Sequence, residues 1–96
     1  MLNSKQKSAL RSLGQTLKAV VQVGKDGMSV NLIATLDDSL KAHELVKINV
    51  LKACPTHVNE ITLDLSSATH SDIVQIIGKT ILLFRQSDKK KIELPR

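Results

Sequence analysis

One short stretch constrains the fold of this chain more than any other, because it reads as a strand, a tight turn and the start of a helix in direct succession. Residues 20–23, Val-Val-Gln-Val, are typical of a short apolar strand. Residues 24–27, Gly-Lys-Asp-Gly, follow as a turn, and Ser29 then stands where a helix N-cap is expected. A strand that passes this directly into a helix predicts an α/β protein.

The remaining sequence continues the alternation of helical and strand periodicity. Residues 30–42 carry apolar side chains at helical spacing, whereas residues 45–51 alternate apolar and polar side chains with the period of a strand. The predicted elements are, in chain order, a helix from Asn3 or Ser4 to about Gly14, strand 20–23, helix 30–42, strand 45–51, a helix capped by Thr56, strand 73–77 and strand 80–85. A strand–helix–strand unit predicts a parallel crossover, and the last two strands, which Gly78-Lys79 joins, predict an antiparallel hairpin. We therefore expect a mixed four-stranded sheet packed with three helices.

The length and composition predict a single domain with an aliphatic core. Of the 96 residues 42% are hydrophobic, and Phe84 is the only aromatic residue. This length leaves room for one domain, residues 1–96, whose segment 87–96 we expect to be a solvated basic tail. Modules that bind single strands by stacking bases on several aromatic rings are excluded, because this chain lacks the rings.

The charge balance and the turn at residues 24–27 together favour a polyanionic partner. Lysine and arginine number 14 against nine acidic residues, which gives a net charge of +5. The turn, which we call the GxxG loop, meets the positive end of a helix where backbone N–H groups are free, and Gly24 and Gly27 would let a phosphate approach closely. Lys25 would add a point charge, whereas Asp26 would repel a phosphate and is expected to hold the loop by bonding nearby amides. The alternative is a tight strand-to-helix turn that binds nothing.

Further basic residues could extend this surface. Lys7, Arg11 and Lys18 are spaced to share one face of the first helix, opposite its leucines. A solvated helix face explains the same pattern. Lys47, Lys79 and Arg85 are additional candidates on the predicted sheet.

Catalytic, metal and nucleotide sites are not predicted. Cys54, His57 and His70 have a spacing that could begin a zinc site, but a structural site needs four ligands. No base is placed to activate Cys54, and the GxxG loop lacks the pattern of a triphosphate-binding loop. We therefore expect no cofactor, no metal and no small-molecule substrate. The lone cysteine, and the lack of an apolar N-terminal or membrane-spanning run, predict a cytoplasmic protein that does not enter a membrane.

Several short motifs, taken in order, resemble a known family. They are residues 22–27 (QVGKDG), 43–48 (HELVKI), 74–79 (VQIIGK) and 83–85 (LFR). This series is similar to the YhbY family, the stand-alone bacterial form of the CRM domain, which is named for chloroplast RNA splicing and ribosome maturation. The resemblance covers nearly the whole chain.

The resemblance implies a fold similar to the C-terminal domain of translation initiation factor three, and RNA binding by association with precursors of the large ribosomal subunit. Our hypothesis is a monomeric, non-catalytic assembly factor that binds ribosomal RNA. Its candidate RNA contacts are Gly24, Lys25, Asp26, Gly27, Lys7, Arg11, Lys18, Lys47, Lys79 and Arg85. The alternative is a module that docks on a ribosomal protein, either through the edge of the last strand or through Leu45 and Leu51 on the second face of the sheet.

Overall fold

Seven elements alternate along the chain in the predicted order. The structure, a computed structural model, describes residues 2–95. Its elements are α1 (Ser4–Gly14), β1 (Val21–Val23), α2 (Val30–His43), β2 (Leu45–Val50), α3 (Val58–Thr69), β3 (Asp72–Ile77) and β4 (Thr80–Phe84). The cap of α3 is His57 and not Thr56, because the His57 ring, through Nδ1, accepts the Asn59 N–H at 3.2 Å.

The strands form one mixed sheet in the order β1-β2-β4-β3. β1 pairs with β2 in parallel, and β4 lies between β2 and β3 in antiparallel pairing with both. The predicted mixed sheet is therefore confirmed. The expectation that the last strand offers a free edge is wrong, because the chain inserts β4 into the middle of the sheet and leaves β1 and β3 at its edges.

The two faces of the sheet are covered differently. α2 and α3 pack on the first face around a core of aliphatic side chains from β1, β2 and β4. The second face is covered by α1 and by the C-terminal segment, and its smaller core consists of Leu10, Leu45, Val74, Leu82 and Phe84. Since Leu45 is only 3% exposed within this core, it cannot serve as the docking residue suggested by the sequence.

Helix α1 is fixed at both ends by specific contacts. A capping box opens it, in which Asn3 Oδ1 accepts the Gln6 N–H at 2.8 Å and Gln6 Oε1 accepts the Asn3 N–H at 3.1 Å. At its other end Gly14 lies so close to the sheet that an added Cβ would stand 2.5 Å from Leu82 Cδ1. The helix can pack this closely because residue 14 has no side chain.

The predicted basic face of the first helix is only partly present. α1 ends at Gly14, so Lys18 lies outside it. Lys7 and Arg11 are half-buried on the side of α1 that also carries Leu10, whereas Leu13 is 47% exposed. The apolar and basic positions thus do not lie on opposite faces, because the close contact at Gly14 turns the Lys7–Arg11 side toward the sheet.

The C-terminal segment is anchored to the junction of α2 and β2. Glu44 follows α2 with a φ of 66° and is fully buried. Its carboxylate accepts the Ser87 N–H at 2.8 Å, the Ile92 N–H at 2.7 Å and the Ser87 hydroxyl. The Lys91 ammonium group donates a hydrogen bond to the Ala42 carbonyl at 2.5 Å. Residues 87–92 therefore form part of the folded domain rather than the solvated tail predicted from sequence.

Acid should release this anchor. Burial alone raises the pKa of Glu44, but the hydrogen bonds from Ser87 and Ile92 outweigh it and lower the pKa from 4.5 to about 2. Because the folded-state pKa is depressed, the stabilisation from Glu44 is complete above pH 4.5 and is lost as the pH falls to about 2. Glu44→Gln should lower the free energy of unfolding at neutral pH by about 1.5–3 kcal/mol and remove this part of the acid sensitivity. Urea denaturation at a series of pH values measures both effects.

The matched control is Glu93→Gln, which removes an exposed carboxylate from the same segment. It should leave the stability and its pH profile unchanged. A Glu44→Gln protein that keeps the acid profile of the unmodified chain would contradict the assignment.

Candidate nucleic-acid interface

Three loops meet at one end of the sheet, which we call the loop end. They are the GxxG loop after β1, residues 51–57 after β2, and the β3–β4 turn. The Leu51 N–H donates to the Val23 carbonyl at 2.8 Å, and the Val50 N–H donates to the Lys79 carbonyl at 2.8 Å. The loops meet because β1 and β2 are parallel, so their C-terminal ends lie at the same end of the sheet. β3 turns back into β4 at that end as well.

The GxxG loop is a tight turn in which the two glycines have different roles. The Gly27 N–H donates to the Gly24 carbonyl at 3.0 Å, and Gly27 has a φ of 59°, in the left-handed region that favours glycine. Gly27 is buried, and a Cβ added there would lie 3.6–3.8 Å from Thr56 and Pro55. The structure therefore assigns Gly27 to closing and packing the turn, and not to meeting a ligand through its own amide.

The centre of the GxxG loop is open. Lys25 and Asp26 are exposed, and within residues 2–95 their N–H groups have no hydrogen-bond acceptor. The Asp26 carboxylate makes no hydrogen bond to the described residues either, so the loop-holding role predicted for it is not observed. Two adjacent amides and one ammonium group are thus available to a ligand at the tip.

Two helices point their N-termini at the loop end. α2 begins behind the GxxG loop, where Ser29 Oγ accepts the Leu32 N–H at 3.0 Å, and α3 begins after residues 51–57. The first turn of α2 contains no acidic residue, whereas the first turn of α3 contains Glu60. No acidic side chain in the first turn therefore opposes the positive end of the α2 dipole beside the GxxG loop, whereas Glu60 opposes that of α3.

Each of the three loops contributes one lysine. Lys25, Lys52 and Lys79 come one from each loop, and all are exposed. Sequence analysis selected Lys25 and Lys79 but missed Lys52. The position of Lys52 just after a predicted strand could have identified it, because residues that follow parallel strands lie together at one end of a sheet.

Open grooves flank the GxxG loop on both sides. One, of about 440 Å³, runs between β1, the loop and α2. The other, of about 340 Å³, lies between residues 51–58 and Lys79. Pro55 and Thr56 line the second groove and also contact Gly27. A chain lying across the loop would therefore have a groove on each side of it.

The other basic candidates lie on the second face of the sheet. Arg11 and Lys47 line a groove of about 230 Å³ together with Gln75 and Thr80. Lys18 and Lys47 border a second, mostly apolar groove of about 370 Å³. Its exposed apolar side chains are Leu13 (47% exposed), Leu17 (37%) and Val20 (57%). Lys7 lies one helical turn before Arg11 on α1.

Arg85 has a structural role. Its guanidinium donates from Nη1 to Asp37 Oδ1 at 2.6 Å and to the Thr69 carbonyl at 2.7 Å, and from Nη2 to the Asp37 carbonyl at 3.1 Å. The hydrogen bond from Arg85 is the main cause of the lowered pKa of Asp37, and Lys41, 3.2 Å away, adds to it. Arg85 thus joins α2 to the end of α3, away from the loop end, and its charge is already compensated.

The structure also bears on a zinc site and on a membrane-spanning segment, which the sequence analysis considered. His57 caps the start of α3 and His70 caps its end, so Cys54, His57 and His70 do not converge on one metal site. Within residues 2–95 no cluster of three or more potential metal ligands occurs. No helix in this part of the chain has the length and apolar character needed to cross a bilayer.

Removing the Arg85 guanidinium should destabilise the fold. Arg85→Ala leaves the carbonyl of the buried Thr69 without its donor, and we expect a loss of about 1–3 kcal/mol in the free energy of unfolding. Lys41→Ala removes only the exposed partner of the Asp37 carboxylate and should change the stability much less. Urea denaturation of both variants tests the difference. Equal effects would contradict the clamp role of Arg85.

Known proteins resemble this chain along its whole length. The Bacillus subtilis protein named as probable RNA-binding protein YqeI is 42% identical over 99% of this chain and 100% of its own length. A Haemophilus influenzae protein named RNA-binding protein is 35% identical over 99% of this chain and 96% of its own. The solution structure of SAV1595 from Staphylococcus aureus matches with a TM-score of 0.82 at 43% identity, covering 99% of this chain and 100% of that one.

The family model described as the CRS1 / YhbY (CRM) domain matches residues 2–85. That segment contains all seven elements, the GxxG loop and the other two loops of the loop end. The match thus covers nearly the whole described fold, and the relatives are similar to this chain over nearly their full length. The chain belongs to the CRS1 / YhbY (CRM) domain family.

Proposed function

We propose that this protein binds RNA and holds its backbone at the loop end of the sheet. The observation that carries the proposal is the meeting of two open loop amides, two helix N-termini and three exposed lysines at that end. Each of these features attracts an anion, and phosphate groups are the repeated anion of a nucleic acid. The names of the Bacillus and Haemophilus relatives support RNA as the partner.

A backbone contact of this kind needs no base recognition. Lys25, Lys52 and Lys79 are flexible point charges that accept any sequence, and the amides of Lys25 and Asp26 can each donate to a phosphate oxygen. Asp26 itself faces solvent, where repulsion of a phosphate is weakened by water and salt. Arg11, Lys18 and Lys47 on the second face would lengthen the contact.

We further propose that the RNA is ribosomal RNA in precursors of the large subunit, and that the protein assists assembly without catalysing a reaction. This rests on the likeness to the YhbY family. It fits a binder that tolerates many sequences, since folded ribosomal RNA presents closely spaced phosphates from several helices.

The loop-end lysines should account for a defined part of the salt dependence of binding. The triple variant Lys25→Gln, Lys52→Gln and Lys79→Gln should bind more weakly, and the slope of log K against log salt should become shallower by about 2, since each lost phosphate contact removes about 0.7–0.9. Fluorescence anisotropy with a bacterial large-subunit ribosomal RNA fragment across a salt titration measures the slope.

The control variant is Lys5→Gln, Lys41→Gln and Lys89→Gln, which removes three exposed lysines elsewhere and changes the net charge equally. It should keep the slope of the unmodified protein. An equal loss in both variants would mean that net charge alone drives binding, and an unchanged slope in the loop-end variant would remove the loop end from the interface.

Association with large-subunit precursors can be tested separately. In sucrose gradients of a bacterial lysate at low salt, the protein should sediment with large-subunit precursors, and the loop-end triple variant should remain near the top. The Lys5, Lys41 and Lys89 control should sediment like the unmodified protein. Sedimentation with small subunits alone would overturn the large-subunit proposal and leave RNA binding standing.

A second candidate is docking on a ribosomal protein, and the apolar groove beside Leu13, Leu17 and Val20 favours it. Three exposed apolar side chains around one groove are typical of a protein contact. Leu13→Ser and Leu17→Ser should then release the protein from particles whose RNA has been digested with ribonuclease. Loss of the unmodified protein on digestion would instead favour RNA as the anchor.

A further inference from the structure

Five of the eight residues that line the groove between residues 51–58 and Lys79 are apolar, which phosphate binding does not explain. Val50, Cys54 and Val58 line its interior, and Leu51 and Pro55 form exposed walls. Leu51 is 41% exposed although it directly follows a buried strand. An anion gains nothing from such walls, so the groove suits a ligand with an apolar surface of its own.

Leu51 and Pro55 are held in place by local hydrogen bonds. The Cys54 N–H donates to the Leu51 carbonyl at 3.0 Å, which turns the chain immediately after β2. The Leu51 N–H is bonded to β1, so the side chain projects from a fixed backbone. The Cys54 thiol lies within 3.5 Å of the Thr56 carbonyl and remains half-buried in the groove. These hydrogen bonds therefore hold the apolar walls of the groove in a fixed position.

The rim of the groove is polar and can donate hydrogen bonds. His57 is exposed, and its Nδ1 accepts the Asn59 N–H, so the neutral ring carries its proton on Nε2. Lys79 faces the groove from the β3–β4 turn. An imidazole and an ammonium group on the rim of a groove with apolar lining residues fit a flat heteroaromatic ligand with acceptor atoms at its edge.

The groove and the GxxG loop share a wall. Gly27 packs against Pro55 and Thr56, and a Cβ added at Gly24 would lie 3.9 Å from Leu51 Cδ1. A ligand in the groove would thus be separated from the GxxG loop only by this wall. One nucleotide has the two parts that this arrangement requires, a phosphate and a base.

We propose that this groove, the base groove, holds an unpaired nucleobase of an RNA whose phosphate lies on the GxxG loop. The inference rests on the proposed RNA binding and adds a preference for single-stranded RNA. Aliphatic and imidazole surfaces replace aromatic stacking, since Phe84, the chain's one aromatic residue, is only 2% exposed in the core. A base within a duplex is covered by its neighbours and cannot enter.

The first test compares affinities for a single-stranded oligouridylate and for a blunt RNA duplex of the same length. Leu51→Ala and His57→Asn should each weaken single-strand binding about five- to tenfold and leave duplex binding unchanged, as expected when part of an apolar contact is lost. Asparagine is chosen at position 57 because it can still cap α3. The matched controls are Leu63→Ala and His43→Asn, which alter an exposed leucine and an exposed histidine outside the groove.

The second test uses Cys54 as a reporter, because it is the only cysteine in the chain. Saturating oligouridylate should slow alkylation of Cys54 by N-ethylmaleimide, measured by mass spectrometry, whereas the duplex should not. A Cys54→Ser, Leu63→Cys protein moves the thiol to the exposed surface of α3, where the oligouridylate should give no protection.

The results separate the base groove from the proposed function. If Lys25→Glu weakens the binding of both RNAs while Leu51→Ala and His57→Asn change neither affinity, the base groove is refuted and the phosphate contact stands. Equal protection of Cys54 by duplex and single strand would also refute it. If neither RNA binds the unmodified protein, the base groove and the proposed function fall together.

Discussion

The parallel pairing of β1 with β2 is the constraint on which the rest of this structure depends. Parallel strands end at the same edge of a sheet, so the loops that follow them are neighbours, and the helices that return from them begin there. This places the N-termini of α2 and α3 beside each other without any contact between the helix ends being required. An antiparallel β1 would send the GxxG loop to the other end of the sheet, away from Lys52 and Lys79.

The two ends of the sheet differ in how far their charged and polar groups are engaged in hydrogen bonds. At the end opposite the loops, two acidic side chains are fully engaged, since Glu44 holds the C-terminal segment and Asp37 holds Arg85. At the loop end the lysines are exposed and the amides of Lys25 and Asp26 are unbonded within residues 2–95. A buried carboxylate such as that of Glu44 needs every donor within reach, whereas the exposed donors of the loop end stay free for the phosphate contact that we propose.

The two contacts proposed for the loop end differ in selectivity. Lysines and open amides attract any phosphate chain, and their contribution fades as salt increases. The proposed base groove, which Leu51 and His57 line, would add a contact that depends on whether a base is free to leave its stack. With both proposed contacts, the loop end would hold many RNA sequences and still distinguish a flexible single-stranded segment from a regular helix.

The sequence by itself determined the local parts of this protein. Helical and alternating periodicities gave the seven elements in order, Asn3 and Ser29 marked two helix starts, and the GxxG loop was visible between a strand and a cap. Such features depend on residues near one another along the chain, so spacing is enough to predict them. The family resemblance rests on the same short motifs.

Only the tertiary structure decided which distant residues meet. The insertion of β4 between β2 and β3, the burial of Gly27 beneath Pro55, the use of Arg85 as a clamp and the place of Lys52 all follow from long-range pairing. Charge and apolar character are the same in the sequence whether a side chain is free or engaged, as Arg85 and Lys25 show. The difference is set by what folding brings within hydrogen-bonding distance, and no spacing along the chain records it.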